Sequence, residues 1–233
     1  MTIPGKEVIP GLPLFLDLRH RACLVLGGEG EAVTKVEALL LAGAHVLLLA
    51  QRIAPELAAR AEEGQLHWSQ ERFCPQHLDG IWFILSTLND PVLNETVMAE
   101  AQRRQIFMNV VDQRPYCSAL WPAVIRRDPV MVAFSTGGTS PALAGYLRRQ
   151  IAGSLPREMG TLATWLGGWR KQVANLFPNL EERGCFWQKL LAGGVVNRFI
   201  EGDVSGAEEM IHQELHRAAP IGVDREKKPE RPC

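Results

Sequence analysis

The sequence predicts an α/β protein in which a doubly wound parallel sheet comes first, followed by a small strand hairpin and a helical C-terminal region. Three observations carry this prediction. Short apolar runs alternate with helical segments up to Asp112, a glycine-rich turn follows the first run, and the pattern then changes to a hairpin and a series of helices. Alternating strands and helices are typical of a parallel sheet with helices on both faces.

Five apolar runs in the first part are predicted to be strands. Each run is apolar throughout rather than alternating, which indicates strands that are buried on both faces. The segments between them carry apolar residues at helical spacing, as at Val33, Val36 and Leu40. The predicted strands are 22–26, 45–50, 66–68, 81–86 and 106–111, and the predicted helices are 31–42, 55–63 and 91–104.

A hairpin and several helices are predicted after Asp112. Two apolar runs, at 119–125 and 130–135, are joined by the turn-forming stretch RRDP, and GGTSP then starts a helix with Ser140 as its N-cap. Glycine pairs at 167–168 and 193–194 predict kinks or breaks between helices. The predicted helices are 141–154, 156–177, 180–191 and 205–217, and the charged, proline-containing tail at 219–233 is predicted to be disordered.

Composition narrows the class of protein. The chain has 233 residues, of which 46% are hydrophobic and 22% charged, and this composition is that of a folded protein. No apolar run reaches the roughly 18 residues that a membrane helix needs. The first residues lack the apolar core of a signal peptide, so we expect a cytoplasmic protein that does not associate with membranes. The five cysteines form no CxxC pair, which argues against a zinc site.

The net charge of −1 hides opposite regions. Residues 1–112 carry 9 basic and 14 acidic side chains, a balance of −5; residues 113–200 carry 11 and 4, a balance of +7; residues 201–233 carry 5 and 8, a balance of −3. The middle segment therefore predicts a cationic surface. Its arginines lie among apolar helices without a recognition-helix or RNA-platform motif, which argues against nucleic acid as the partner of this surface.

The glycine-rich turn predicts a dinucleotide site in a Rossmann-like domain. Gly27 and Ala32 fit the first and third positions of the G-x-G-x-x-G/A pattern, but Glu29 occupies the second, where a carboxylate would repel a pyrophosphate. Retention of the turn for folding alone is the alternative. The strand that ends near residue 50 offers no acid for the ribose, although Gln51 can bond a ribose hydroxyl and Arg52 can meet a 2′-phosphate. The predicted contacts of NAD, or of NADP, are Gly27, Gly28, Glu29, Gly30, Glu31, Ala32, Gln51, Arg52, Ser86 and Thr87.

Four stretches together resemble a known family. They are LRHRACLVLGG at 18–28, the glycine-rich turn, NVVD at 109–112 and MVAFSTGGTSPALAGYLRRQI at 131–151. They resemble the N-terminal half of siroheme synthase and its stand-alone relatives, the precorrin-2 dehydrogenase/sirohydrochlorin ferrochelatases. The resemblance implies an NAD-dependent oxidation of precorrin-2 to sirohydrochlorin, followed by insertion of Fe²⁺ as a substrate to give siroheme.

The resemblance also implies a domain organisation and an assembly. We expect a Rossmann-like NAD-binding domain at 1–112, a dimerisation and substrate segment at 113–155, a helical domain at 156–217 and a disordered tail at 218–233. The implied assembly is a homodimer with swapped strands and helices, and the implied ligand is an anionic tetrapyrrole. Two other hypotheses remain: a relative with lost or altered dinucleotide use, acting as a chelatase alone or on another tetrapyrrole, and a non-catalytic tetrapyrrole carrier.

Asp112 is the candidate catalytic residue. It follows a predicted parallel strand at the edge where open α/β sheets place their sites, and it matches the key carboxylate of the family. Oxidation of precorrin-2 releases protons as well as a hydride, so a positioned base is needed. A carboxylate can also accept an N–H proton during metal insertion or bind Fe²⁺ transiently. The alternative is that Asp112 only caps a turn.

A second group of residues is predicted to bind the tetrapyrrole. A hydroxyl- and glycine-rich loop at a helix start offers N–H groups to carboxylates, and an ordinary capped helix is the alternative for it. Thr136 matches the phosphorylatable serine of the family. Arginines of the basic segment can clamp the carboxylates of the macrocycle. The predicted contacts are Asn109, Arg114, Ser135, Thr136, Gly137, Gly138, Thr139 and Ser140, and the further arginines are Arg126, Arg127, Arg148 and Arg149.

Overall fold

The structure is a computed structural model that describes residues 11–218. The predicted disordered tail at 219–233 lies outside the described residues. Five strands form one sheet in the order β3-β2-β1-β4-β5, and all neighbouring strands are parallel. The strands are β1 (Ala22–Leu26), β2 (His45–Leu49), β3 (Leu66–Ser69), β4 (Ile81–Ser86) and β5 (Phe107–Val110), and the helices between them are α1 (Glu31–Leu41), α2 (Pro55–Glu62) and α3 (Pro91–Arg103). The predicted doubly wound α/β fold is confirmed.

Both faces of this sheet are buried, which explains why its strands are apolar throughout. Successive residues of β1 point to opposite faces. Cys23 and Val25 belong to the core under α1 and α2, whereas Leu24 and Leu26 belong to the core under α3. All four side chains are at most 1% exposed. Because neither face contacts water, polar residues have no place in β1.

The helices of the sheet end by ordinary capping chemistry. The side chain of Asp90 accepts a hydrogen bond from the N–H of Leu93 (3.0 Å) and so begins α3. At the end of α1, Gly43 adopts a φ of 78°, and the N–H of Ala44 donates to the carbonyl of Leu39 (3.0 Å). This is the Schellman arrangement, which a residue with a side chain adopts only at a cost. The predicted boundaries of both helices agree with the structure to within one residue.

The later part of the chain contains the predicted hairpin and mostly the predicted helices. The strands β6 (Ala123–Arg127) and β7 (Val130–Phe134) pair antiparallel. The helices are α4 (Pro141–Ser154), α5 (Met159–Leu176), α6 (Leu180–Ala192), α7 (Val195–Ile200) and α8 (Val204–Ala218). The short α7 is not predicted from the sequence. The first hairpin strand begins at Ala123 instead of 119 and continues through Arg126 and Arg127, which the sequence pattern predicts to lie in the turn. The glycine pair at 167–168 does not break α5, because that helix continues through it.

The chain divides into two compact units whose boundaries interleave. The described part of the first unit is residues 11–122 together with 135–141, and that of the second is residues 123–134 together with 142–218. The hairpin therefore groups with the helices, while the loop that follows it groups with the sheet. The division at residues 112 and 155 remains a prediction. Within residues 11–218, no helix combines the length and apolar character needed to cross a bilayer.

Candidate functional site

The predicted cofactor residues follow neighbouring strands at one edge of the sheet. The order β3-β2-β1-β4-β5 reverses direction between β1 and β4, so the loops after these two strands diverge at that point. In open α/β sheets, ligands bind outside the carboxyl ends of the strands at such a switch point. The turn after β1, the loop after β4 and the segment after β5 all belong to this edge.

Two glycines of the turn after β1 are required by close packing within the protein. A Cβ atom on Gly27 would lie 2.4 Å from Oγ1 of Thr87, and one on Gly28 would lie 2.7 Å from the carbonyl oxygen of Arg52. Gly27 also has a φ of 96°. These contacts tie the turn to the loops after β4 and β2, so the first two glycines have a structural reason that does not depend on a ligand.

The second half of the turn faces open space. Gly30 has a φ of 58°, and nothing lies within 4 Å of the position where its Cβ would be. Within residues 11–218, the N–H groups of Glu29, Gly30 and Glu31 meet no acceptor. They precede or begin α1, where unpaired N–H groups favour an anion. Glu29 is exposed there, while Ala32 is buried and lets α1 pack against the sheet. The turn therefore fits a pyrophosphate, with the Glu29 carboxylate as an opposing charge.

The two predicted contacts at the end of β2 are both exposed, but they differ in the hydrogen bonds that they already make. The side-chain amide of Gln51 donates to the carbonyl of Gln70, and the Gln70 amide donates back to the Gln51 carbonyl (3.0 Å). This pairing joins the ends of β2 and β3 and uses one of the two N–H groups of the Gln51 side-chain amide. Arg52 is exposed and has no hydrogen bond or ion pair among the described residues. Of the two, Arg52 has its donors available for a ribose phosphate.

Ser86 and Thr87, at the end of β4, make hydrogen bonds that fix the loops at the carboxyl edge of the sheet. The hydroxyl of Ser86 is fully buried and donates to Oδ1 of Asn94 (2.8 Å), and it accepts from the N–H of Leu88 (3.3 Å). Its side chain therefore shapes the loop instead of facing a cofactor, which revises the predicted contact. Thr87 is half-buried, and its hydroxyl donates to the carbonyl of Leu26 (3.3 Å). Thr87 thus remains beside the glycine turn.

Asp112 is exposed at the end of β5 in an unusual backbone conformation. Its φ of 57° places it in the left-handed region, which is uncommon for residues with a Cβ although aspartate adopts it more readily than most. Among residues 11–218, no group donates a hydrogen bond to its carboxylate. The N–H of the preceding Val111 donates to the carbonyl of Ser86 (2.9 Å), which fixes the position of this segment beside β4. The backbone bond of Val111 therefore fixes the position of Asp112, while the Asp112 carboxylate remains free to accept a proton or a hydrogen bond from a ligand.

Asn109, a predicted substrate contact, lies inside the fold. Its side chain is 5% exposed, and its amide donates to the carbonyl of Ala119 (3.0 Å). The bond ties β5 to the chain segment that follows Cys117. This placement revises Asn109 to a supporting residue, because its amide has no route to a ligand at the surface.

Gln113, which the sequence analysis does not identify, links two loops at this edge. Its amide donates to the carbonyl of Leu88 (3.1 Å) and to Oδ1 of Asn89 (3.3 Å), both in the loop after β4. The residue immediately before it is Asp112, so this link fixes the loop on which the carboxylate stands. No pattern in the sequence distinguishes Gln113 from a surface glutamine, since the signal lies only in the contact.

Arg114 and the glycine-rich loop at 135–140 are joined directly. Nη1 of Arg114 donates to the carbonyl of Gly137, and a Cβ on Gly138 would lie 2.4 Å from that same nitrogen. Gly137 and Gly138 have φ values of 62° and 75°. The pair of glycines thus makes both the turn and the space for the guanidinium. The structure therefore brings three predicted residues together, because the Arg114 guanidinium contacts the turn formed by Gly137 and Gly138.

The hydroxyl groups of this loop are partly used by the loop itself. Oγ1 of Thr136 accepts from the N–H of Ser140 (3.1 Å), Oγ1 of Thr139 donates to the carbonyl of Thr136 (2.6 Å), and the hydroxyl of Ser135 accepts from Gly137 N–H (3.1 Å). Thr139 and Ser135 are exposed. The loop is therefore a preformed turn before α4 whose outer hydroxyls face solvent.

The basic residues of the second unit have different environments. Nη2 of Arg127 donates to the carbonyl of Ala152 (3.5 Å), whereas Arg126 lies 3.6 Å from Asp128 and is exposed. Arg148 and Arg149 are exposed on α4. Three of the four arginines thus present charge to solvent. Within the described residues, no cluster of three His, Cys, Asp or Glu side chains can hold a metal ion.

Comparisons with known proteins agree with this architecture. Residues 14–123 match a family model described as "Putative NAD(P)-binding", and residues 158–215 match one described as "Sirohaem synthase dimerisation region". "Siroheme synthase 1" of Serratia proteamaculans (strain 568) is 36% identical over 208 residues, covering 89% of this chain and 44% of that protein. "Siroheme synthase 2" of Yersinia pestis (strain Pestoides F) is 37% identical over 210 residues, with the same coverages.

A solved structure has the same fold. It is described as "SirC, precorrin-2 dehydrogenase", and its superposition on this chain has a TM-score of 0.70 at 21% sequence identity. The match covers 88% of this chain and 98% of that chain. The curated relatives are longer proteins, and this chain spans less than half of the length of each of the two named above.

Proposed function

The chain belongs to the family formed by the N-terminal half of siroheme synthase and its relatives, and from this premise we propose that it oxidises precorrin-2 to sirohydrochlorin with NAD⁺ or NADP⁺. The observation that carries the proposal is Asp112. It is an exposed carboxylate in a strained backbone conformation, beside the switch point of a dinucleotide-type sheet. Strain of this kind is concentrated at functional sites.

The glycine-rich turn supports the use of a dinucleotide. The N–H groups of Glu29, Gly30 and Glu31 would hold the pyrophosphate, and Arg52 would lie near the adenosine ribose. When bound, the nicotinamide would accept the hydride that the oxidation removes. Thr87, next to Gly27, would line the same pocket.

Asp112 would act as the base of the reaction. Oxidation of precorrin-2 also releases protons. Because no described group donates a hydrogen bond to the Asp112 carboxylate, either of its oxygens can accept one of these protons. Gln113 positions the loop that carries Asp112 through its bonds to Leu88 and Asn89. Arg114 positions the loop at 135–140, whose outward hydroxyls and N–H groups would meet the carboxylates of the substrate.

The second proposed step is insertion of Fe²⁺ into sirohydrochlorin. Metal insertion displaces two N–H protons from the macrocycle; Asp112 would accept one of them, and the other would pass to solvent water. The iron is a substrate here. The nitrogens of the macrocycle itself would bind the inserted iron. The proposed assembly is a homodimer, which the match of residues 158–215 to a dimerisation region supports.

The test follows each step by absorbance. The protein is incubated with precorrin-2 and either NAD⁺ or NADP⁺, and Fe²⁺ is added after sirohydrochlorin has formed. Asp112→Asn is the sharpest variant, because asparagine tolerates the left-handed backbone and removes only the charge. We expect loss of turnover with an unchanged fold, whereas the exposed helix residue Glu95, changed to Gln, should leave turnover intact. Wild-type turnover by Asp112→Asn would remove Asp112 from the mechanism.

Two observations favour a second candidate, a relative that does not use a dinucleotide. Glu29 places a charge where phosphate would bind, and one N–H of the Gln51 amide is already used by the carbonyl of Gln70. Such a protein would insert metal alone or carry the tetrapyrrole. Calorimetric titration with NAD⁺ and NADP⁺ separates the two: binding of either supports the dehydrogenase, and the absence of heat with both supports the second candidate.

A further inference from the structure

A fully buried polar side chain, that of Asn94 on α3, joins two loops at the carboxyl edge of the sheet. Its Oδ1 accepts from the hydroxyl of Ser86 (2.8 Å), and its Nδ2 donates to the carbonyl of Leu88 (2.9 Å) and, over a longer distance, to Oε1 of Gln113 (3.4 Å). We propose that Asn94 is a positioning residue that sets the place of Asp112 relative to the loop after β4. This role rests on the proposed function, in which Asp112 is the base.

Asn94 occupies a core position of its helix. The buried residues of α3 are Asn94, Val97 and Ala101, which share one face at helical spacing. Asparagine has a weaker helix propensity than leucine or alanine, and burial of its amide costs free energy unless the polar atoms are bonded. An apolar side chain would suit both the helix and the core better. The amide is therefore explained by the bonds that it makes.

These bonds determine which way the Asn94 amide faces. The hydroxyl of Ser86 donates to Oδ1 and itself accepts from the N–H of Leu88 (3.3 Å). The two groups that face Nδ2 are both acceptors, namely the Leu88 carbonyl and Oε1 of Gln113. A rotation of the amide by half a turn would place its oxygen against these two oxygens. An ionised carboxylate at this position would likewise have no proton to donate to them.

The backbone on both sides of Asp112 is held by residues that bond this buried amide. The preceding N–H, of Val111, donates to the carbonyl of Ser86 (2.9 Å). The following side chain, of Gln113, donates to the carbonyl of Leu88 (3.1 Å). Ser86 and Leu88 are both direct partners of the amide on α3. One side chain therefore fixes the partners of both neighbours of Asp112.

The loop after β4 also packs on the glycine-rich turn. A Cβ on Gly27 would lie 3.0 Å from Cδ2 of Leu88, so the two segments are in close contact. A shift of Leu88 would thus alter the distance between this turn and Asp112. A misplacement of about 1 Å in a catalytic group can lower a rate about a hundredfold. Because Asn94 is fully buried, its replacement should lower kcat and leave the KM for precorrin-2 nearly unchanged.

Asn94→Asp tests this role through the pH profile of kcat. The new carboxyl group keeps the shape of the amide and, while protonated, can still donate to the Leu88 carbonyl. Burial and the nearby carboxylates of Asp90 and Asp112 should raise its pKa, so ionisation and loss of that bond should come as the pH rises. Relative to wild type at the same pH, we expect kcat to fall roughly tenfold to a hundredfold at about pH 8 and to recover towards wild type at about pH 6.

The control for the added charge is Gln102→Glu, at an exposed position of the same helix, which should keep the wild-type kcat at both pH values. Asn94→Leu supplies a second test, because leucine is similar in size and forms no side-chain hydrogen bond. In this variant we expect hydrogen exchange of the Val111 amide to accelerate about tenfold or more, while exchange of the Leu48 amide in β2 stays at the wild-type rate.

The outcomes separate this inference from the proposed function. Wild-type kcat at both pH values in folded Asn94→Asp, or equal acceleration of exchange at Val111 and Leu48 in Asn94→Leu, would overturn the positioning role alone. Wild-type protein without precorrin-2 turnover would overturn the proposed function. In that case the exchange measurement still decides whether Asn94 holds the segment around Asp112: selective acceleration at Val111 supports it, and unchanged exchange contradicts it.

Discussion

At the scale of single residues, the backbone conformation of Asp112 allows its contribution to activity to be measured apart from its contribution to stability. The left-handed backbone is uncommon for a residue with a Cβ, although aspartate adopts it more readily than most, and no described side chain or N–H bonds the Asp112 carboxylate. Gln105 provides a comparison in the same chain, because its φ of 59° is nearly the same and it stands just beyond the end of α3. At that position glycine is the favoured residue for purely structural reasons.

We therefore expect Asp112→Gly and Gln105→Gly to have the same effect on stability but different effects on activity. Each should raise the free energy of unfolding by up to about 1 kcal/mol through relief of backbone strain. Only Asp112→Gly should abolish sirohydrochlorin formation. Denaturant titration and a turnover assay on both variants check this. Retained activity in Asp112→Gly would mean that the carboxylate takes no part in the reaction.

A second prediction at this scale concerns the effect of the Glu29 charge on dinucleotide binding. If a pyrophosphate binds at the N–H groups before α1, the isosteric change Glu29→Gln should tighten dinucleotide binding by roughly 0.3–1 kcal/mol, a few-fold in Kd. The gain should shrink at high salt because exposed charges are screened. Calorimetric titration at two salt concentrations measures it, with the remote surface change Glu62→Gln as the control. Equal affinities for wild type and Glu29→Gln would place the phosphate elsewhere.

At the scale of elements, the sequence predicts what periodicity and capping determine and misses what tertiary contact determines. The boundaries of α3 and α4 follow from Asp90 and Pro141, which begin those helices. The breaks predicted at 167–168 do not occur, because packing of α5 outweighs the weak helix propensity of glycine. The short α7 and the bonds of Gln113 leave no local signal. Likewise, the burial of Ser86 and Asn109 depends on Asn94 and Ala119, which are their partners only in the folded chain.

Three glycines of α5 differ in their surroundings and permit a matched test. A Cβ on Gly160 would lie 2.1 Å from the carbonyl oxygen of Asp128 and 2.3 Å from that of Arg127, both backbone atoms of the hairpin. Gly160→Ala should therefore destabilise the second unit by roughly 2–3 kcal/mol. No atom lies within 4 Å of the corresponding position on Gly167 or Gly168.

Gly167→Ala should instead stabilise α5 by roughly 0.5–1 kcal/mol, because alanine has the better helix propensity and nothing obstructs it. Denaturant unfolding of both variants, followed by far-UV circular dichroism, compares their midpoints. A midpoint that falls in both variants would show that the space around 167 is occupied in the assembled protein, and one that rises in both would contradict the close approach of α5 to the hairpin.

At the scale of the whole molecule, apolar surface on α4 is consistent with the expected homodimer. Tyr146, Leu147 and Ile151 are 36–50% exposed, although apolar residues at this helical spacing ordinarily face a core. They lie in the segment at 113–155 that the resemblance assigns to dimerisation. A second copy of the chain would bury them.

The double change Leu147→Glu and Ile151→Glu should shift the protein from dimer to monomer in sedimentation velocity, since charges would be buried at the interface. The control is Gln150→Glu, a polar position on the same helix, which should leave the sedimentation coefficient unchanged. A double variant that still sediments as a dimer would assign the interface to another surface.

The path of the chain between its two units has a consequence for inheritance. The polypeptide leaves the sheet unit after residue 122, returns for residues 135–141 and leaves again. A genetic crossover after residue 122 or after residue 134 would separate the loop at 135–141 from the sheet, and one after residue 141 would separate the hairpin from the helices with which it groups. Neither unit can therefore be exchanged by joining two gene fragments end to end. The loop that Arg114 contacts stays with the sheet in a recombinant chain only if no crossover falls between residues 122 and 135.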